Sequence, residues 1–150
     1  MKRHIAPLRV LLSDDDADDR LIFKEILYEM DKDITVDMMN DGKQLMDFLS
    51  NKNNLFPHII FLDLNMPNMD GIECLKEIRS HEEYNNISIA IYSTSTSKKD
   101  IDDTFSHGAN IYITKPAAYS ELKKVLKKSL SAVQLDRYSD FDRSNFVLKI

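Results

Sequence analysis

The run HIIFLDL at residues 58–64 is apolar on both parities and then sets an aspartate, Asp63, near its end. Successive side chains of a strand point to opposite faces, so a half-covered strand alternates apolar and polar residues. A strand that is apolar on both parities has to be covered on both faces. That requirement calls for a sheet with helices above and below it. It also makes Asp63 costly, because a lone buried carboxylate needs a charge partner, a metal or a chemical task.

The rest of the chain repeats the theme. RVLLS (9–13), ITVDMM (34–39), ISIAIYS (87–93) and NIYIT (110–114) read as four further short strands. Between them apolar residues recur at helical spacing. Ile22, Phe23, Ile26, Leu27 and Met30 do so over 18–30, Leu45, Phe48 and Leu49 over 42–50, and Ile72, Leu75 and Ile78 over 71–79. KKDIDDTFSHG reads as a helix that Gly108 closes, and Leu122, Val125, Leu126, Leu130 and Val133 form one stripe over 119–133. Short strands alternating with helices predict an α/β, doubly wound (βα)5 fold with a parallel five-stranded sheet of flavodoxin-like strand order 2-1-3-4-5. Ligands of such sheets bind outside the carboxyl ends of the strands, at the switch in strand order.

The 150 residues suit one domain, expected over 1–133. A net charge of −5 disfavours a nucleic-acid groove, which needs clustered Lys and Arg. The single cysteine, Cys74, leaves no internal disulfide and fits a reducing compartment as a small half-buried helix residue. The start MKRHIAPLRVLLS is interrupted by Pro7 and Arg9 and lacks a cleavage site, and no apolar run approaches membrane-spanning length. A cytoplasmic protein with no membrane partner is expected. The four histidines (His4, His58, His81, His107) show no catalytic spacing. Residues 134–150 form an extension. Tyr138, Phe141, Phe146, Val147, Leu148 and Ile150 make it too apolar for a typical solvated tail, and the expectation is that it packs on the domain or on a partner, with fraying at the chain end as the alternative.

The strand ends carry the chemistry. Strand one ends in Asp14, Asp15 and Asp16, strand three carries Asp63 with Asn65 just beyond, strand four ends in hydroxyls from Ser93 to Ser97, and strand five ends in Lys115 and Pro116. Taken alone, DDDADD is as well explained by a helix N-terminus, where acids meet the positive end of the dipole. Neighbouring strands one and three would bring Asp14 or Asp15 to Asp63. Each like-charge pair about 4 Å apart costs on the order of 4 kcal/mol at an effective dielectric near 20, which a cation among them would offset. Oxygen-only ligands suit Mg²⁺, and a carboxylate beside that ion is a competent nucleophile toward phosphorus. Asp63 would then be a phosphate acceptor, with Lys115 neutralising the transferred group.

These motifs resemble a response-regulator receiver domain, the aspartate-phosphorylated component of two-component signalling. LLSDDD, FLDLNMP, IYSTS and ITKP stand in order at successive strand ends, with 30 residues from Asp63 to Ser93 and 22 more to Lys115. The resemblance spans roughly Leu8 to Val133. It implies that Asp14 and Asp15 are the acidic pair, Asp15 the direct metal ligand, and Asp63 the phosphoacceptor. It further implies that Asn65 offers its backbone carbonyl to the metal and that Lys115 contacts the phosphoryl group. It also implies that Ser93 rather than Thr94 is the switch hydroxyl, that Tyr112 is the aromatic that changes rotamer, and that Pro116 follows a cis bond. The implied partners are a sensor histidine kinase or phosphotransfer protein upstream and a target protein or a second copy downstream. The implied role is a phosphoacceptor switch rather than an enzyme in the ordinary sense. A phosphatase would want an acid two residues after Asp63, where Asn65 stands. A docking domain that has lost phosphorylation would lack Asp63 or Lys115. A relay to a histidine on another protein stays open beside the switch.

Overall fold

The computed structural model describes residues 7–134 and 142–148. Five strands, β1 (Arg9–Ser13), β2 (Thr35–Met39), β3 (Ile59–Leu62), β4 (Ser88–Ser93) and β5 (Ile111–Thr114), pair in parallel in the order β2-β1-β3-β4-β5. Five helices alternate with them: α1 (Ala17–Met30), α2 (Gly42–Ser50), α3 (Gly71–Arg79), α4 (Lys98–Ser106) and α5 (Tyr119–Gln134). A 3-10 turn, Glu82–Tyr84, precedes β4.

The two parities of the central strands part into two cores, as strands covered on both faces require. Val10, Leu12, Ile59, Phe61, Ala90, Tyr92, Ile111 and Ile113 face α1 and α5. Leu11, Ile60, Leu62, Ile89, Ile91 and Tyr112 face α2, α3 and α4. Arg79 pins α3 to the sheet's other end. Its guanidinium donates to the carbonyls of Gly108, Tyr84 and Ile87 and to Asn110 Oδ1, at 2.9–3.2 Å. Gly108 follows the cap of α4 at φ 97°, the left-handed conformation expected of it.

Three expectations need correction. Ile22 is 37% exposed, because Phe23, Ile26 and Leu27 already fill the narrow face of α1 turned to the sheet. Cys74 is fully buried, since α3 lies flat against the sheet beside Leu45 and Leu75. The described residues contain no cis peptide bond, so Lys115–Pro116 is trans, the form that even X–Pro bonds favour by roughly 0.5–1 kcal/mol. His4, Tyr138, Phe141 and Ile150 lie outside the described residues.

Residues 142–148 return along the outer edge of β5. Tyr112 and Val147 form a parallel bridge, and Phe146 is fully buried.

Candidate functional site

Asp14 and Asp63 are each the first residue past a strand, and the pairing of Ser13 with Leu62 sets those strand ends level. The Asp63 amide donates to the Ser13 carbonyl at 3.0 Å, so the two carboxylates leave the sheet side by side. Asp14 is wholly buried, Asp63 is 6% exposed and Asp15 is exposed. One oxygen from each of the three lies within 4.8 Å of the others. Lys115 reaches across from the end of β5. Its ammonium donates to Asp14 Oδ2 at 2.8 Å and to Asp19 Oδ2 at 2.9 Å, and stands 3.7 Å from Asp63 Oδ2. The Tyr92 ring lies against that ammonium, its centroid 5.0 Å away.

Burial pushes the Asp63 carboxyl up to about 6, and the neighbouring Asp14 adds to the rise. Lys115 opposes it, yet its charge is shared first with the two nearer carboxylates. For Lys115, burial acts against the charged form, but the hydrogen bonds to Asp14 and Asp19 outweigh it and hold the ammonium above its ordinary range. Asp63 is therefore an under-compensated carboxylate.

Local sequence explains the loops that hold these groups. Asp16 caps α1, its side chain accepting from the amides of Asp18 and Asp19, so DDDADD is both helix start and site. Asn68 adopts φ 67°, which asparagine tolerates, and donates to the Asp41 cap of α2 at 2.8 Å. Gly71 opens α3 directly against the backbone of Asp63 and Leu64, where a Cβ would lie 2.7 Å from Leu64 Cα. On the β4 side the buried Ser93 Oγ accepts from the Ser95 amide at 3.1 Å, and the Ser93 carbonyl accepts from the Lys115 amide at 2.8 Å.

The structure thus gathers Asp14, Asp15, Asp63 and Lys115, with Ser93 bonded through its backbone to Lys115. Asn65 is exposed, its amide 3.5 Å from Asp63 Oδ1. Tyr112 is buried on the α4 side, its hydroxyl donating to the Ser95 carbonyl at 2.8 Å. Asp19, read from the sequence only as a helix-start acid, belongs to the site through Lys115. Its signal was faint: a carboxylate one turn into α1. Gly71 was passed over as well.

Three carboxylates against one shared ammonium leave a net negative, all-oxygen cluster, which fits a hard divalent cation such as Mg²⁺.

A doubly wound parallel sheet with an acidic cluster and a lysine at its switch point defines a receiver-type phosphoacceptor domain. The chain belongs to the response regulator receiver domain family, whose model matches residues 10–127. It is 31% identical over 122 residues to Response regulator Rcp1 of Synechocystis sp., covering 79% of this chain and 82% of that one. The fold superposes on the phosphorylated cyanobacterial phytochrome response regulator RcpA with a TM-score of 0.78 at 31% identity, covering 87% and 95% of the two chains. It superposes on the Mn²⁺-bound form of Rcp1 with a TM-score of 0.76 at 28% identity, covering 84% and 93%. As a receiver domain, the chain is part of two-component signalling and a phosphoacceptor switch by family. Among the described residues no helix is long and apolar enough to cross a membrane.

Proposed function

We propose that Asp63 accepts a phosphoryl group from a histidine of a sensor kinase or phosphotransfer protein. The observation that carries this reading is the buried Asp14–Asp63 pair with Lys115 3.7 Å from Asp63. An Asp63 carboxylate oxygen attacks phosphorus, the P–O bond forms and the bond to the donor nitrogen breaks. Lys115, already charged, turns from Asp19 toward the incoming phosphoryl oxygens. Ser93 Oγ donates to another of them. Asp14, Asp15, the Asp63 carboxylate and the Asn65 carbonyl would hold Mg²⁺, which supplies charge neutralisation for the transfer.

A cleft of about 370 Å³ beside the cluster supports the donor side of this reading. Asp19, Ile22, Tyr92, Lys115, Pro116 and Tyr119 contribute to its lining. Ile22 and Tyr119, exposed along it, offer the apolar surface that a partner's helix would cover.

On the output side, the phosphoryl group draws Ser93 inward, and Tyr112 follows into the space released. Moving such an equilibrium from 1:99 to 99:1 takes about 5.5 kcal/mol of differential stabilisation, within reach of new charge-assisted contacts from Lys115 and Ser93. The altered α4–β5 face then binds a target protein or a second copy, in a cytoplasmic setting. Onward relay of the phosphoryl group uses the same acceptor chemistry.

Intact mass after incubation with Mg²⁺ and a small acyl phosphate tests the reading. One phosphoryl group should be gained, lost on adding EDTA beforehand and absent in Asp63→Asn. A wild-type mass that never changes, in protein that binds Mg²⁺ and receives phosphate from no histidine donor, would overturn it.

A further inference from the structure

In the strand order β2-β1-β3-β4-β5, β5 is an edge, and the outward backbone groups of a buried edge residue need partners. Tyr112 is such a residue, with no exposure. Its amide donates to the Phe146 carbonyl at 2.9 Å, and its carbonyl accepts from the Leu148 amide at 2.9 Å. The Phe146 ring stands edge-on to Tyr112 at 6.1 Å and to Phe105 of α4 at 5.1 Å. Leu148 joins the opposite core, with Ile111 and Ile113. Arg143 adds a charged contact to Asp102 on α4, with Nη2 2.6 Å and Nε 3.0 Å from Oδ1. Backbone pairing, an aromatic anchor and an ion pair thus seat one short segment across α4 and β5.

Adding a strand to an open sheet edge is a general mode of peptide recognition. We infer that the β5 edge is a strand-accepting surface filled in cis by residues 142–148, and that phosphorylation of Asp63 releases this segment through the Tyr112–Phe146 contact. The inference rests on the phosphoacceptor reading above and names the regulation of that same face. The Tyr112 hydroxyl is bonded to the Ser95 carbonyl, in the loop that follows Ser93. When Ser93 moves toward a phosphoryl group, that acceptor moves with it, and the ring loses its place against Phe146. While the segment is seated, no other chain can pair with Tyr112. Once it leaves, the edge and the Phe105 face are open together.

Hydrogen exchange on the full chain tests this, with intact mass recorded on the same samples. In unphosphorylated protein the Tyr112 and Leu148 amides should exchange at least 100-fold more slowly than unstructured amides, independently of protein concentration. With the phosphoryl group on, both should speed up at least tenfold while the β1 amides stay slow. Phe146→Ala should show the fast exchange without phosphate and bind a phosphoryl mimic such as beryllofluoride with Mg²⁺ several-fold more tightly, because the coupling of binding free energies is reciprocal. Arg143→Ala, remote from the core, should do the same more weakly. Equal protection in chains whose mass shows the phosphoryl group would overturn the release. Protection that fades on dilution would place a second copy's segment on the edge and overturn the cis seat. A chain that takes up no phosphoryl group would remove the premise instead, and the mass alone would show it.

Discussion

Lys115 donates to Asp19 at 2.9 Å, although Asp19 is a helix residue 96 positions away and lies outside the acidic pair at the end of β1. The contact competes with Asp63, which Lys115 approaches only to 3.7 Å. In the resting protein, Asp19 holds back part of the charge that the phosphoryl group will need.

Asp19→Asn should therefore speed phosphoryl uptake from a small acyl phosphate. The Asp19 side chain is 36% exposed, so the pair is screened and its loss is worth roughly 0.5–1 kcal/mol, or a two- to fivefold rate change. Quenched-flow mass measurements with Mg²⁺ in excess would read it. A tenfold slower uptake would mean that Asp19 orients Lys115 instead of restraining it.

Asp63 also sets a pH dependence of stability. Its carboxyl is raised from 3.8 to about 6, chiefly by burial, so between those values the folded state binds more protons than the unfolded one. Stability then falls as pH rises through that window, by about 3 kcal/mol in all at roughly 1.4 kcal/mol per pKa unit. Asp63→Asn removes the penalty. Without divalent ions it should melt about 5–10 °C above wild type at pH 7.5 and within a degree or two of it at pH 3.5. Thermal melts in EDTA at the two pH values check this, and a variant that melts lower at pH 7.5 would refute it.

Mg²⁺ should act on the same carboxylate in the opposite sense. An ion that binds only the folded state at a hundred times its dissociation constant adds about 2.7 kcal/mol. Wild-type protein at pH 7.5 should gain several degrees on adding Mg²⁺ and lose them to EDTA. Asp15→Asn should keep the metal-free melting temperature, because Asp15 is exposed, yet lose most of the gain. An unchanged gain would remove Asp15 from the ligand set.

What could be read in the sequence was local. The double parity of HIIFLDL announced a strand covered on both faces, and its two sets, Ile59 with Phe61 and Ile60 with Leu62, do face separate cores. The acids, hydroxyls and lysine were legible because each ends a strand whose pattern is itself plain. Asp19 was not, since its role depends on a lysine that only the folded sheet brings near. Ile22 was misjudged because helical spacing marks a broad stripe while the sheet covers a narrower one. The partner of Phe146 was also out of reach, because nothing in SNFVLKI specifies which strand edge it meets.

Gly71 offers the sharpest test of how the fold holds the site. The α3 N-terminus lies directly on the β3–α3 turn, and the Gly71 amide donates to the Leu64 carbonyl at 3.0 Å. A Cβ at position 71 would press into the backbone of Asp63 itself and sit 2.7 Å from Leu64 Cα, where no flexible side chain can give way. Relief requires α3 to lift from the sheet or the Asp63 peptide to shift, and both disturb the placement of the acceptor. Overpacking of this kind costs about 1–3 kcal/mol, and backbone against backbone belongs at the upper end. Gly71→Ala should therefore unfold at lower denaturant with an unchanged slope. In conditions where it is still folded, it should also take up phosphoryl groups at least tenfold more slowly. A variant with wild-type uptake and stability would show that α3 is free to move without carrying Asp63 along.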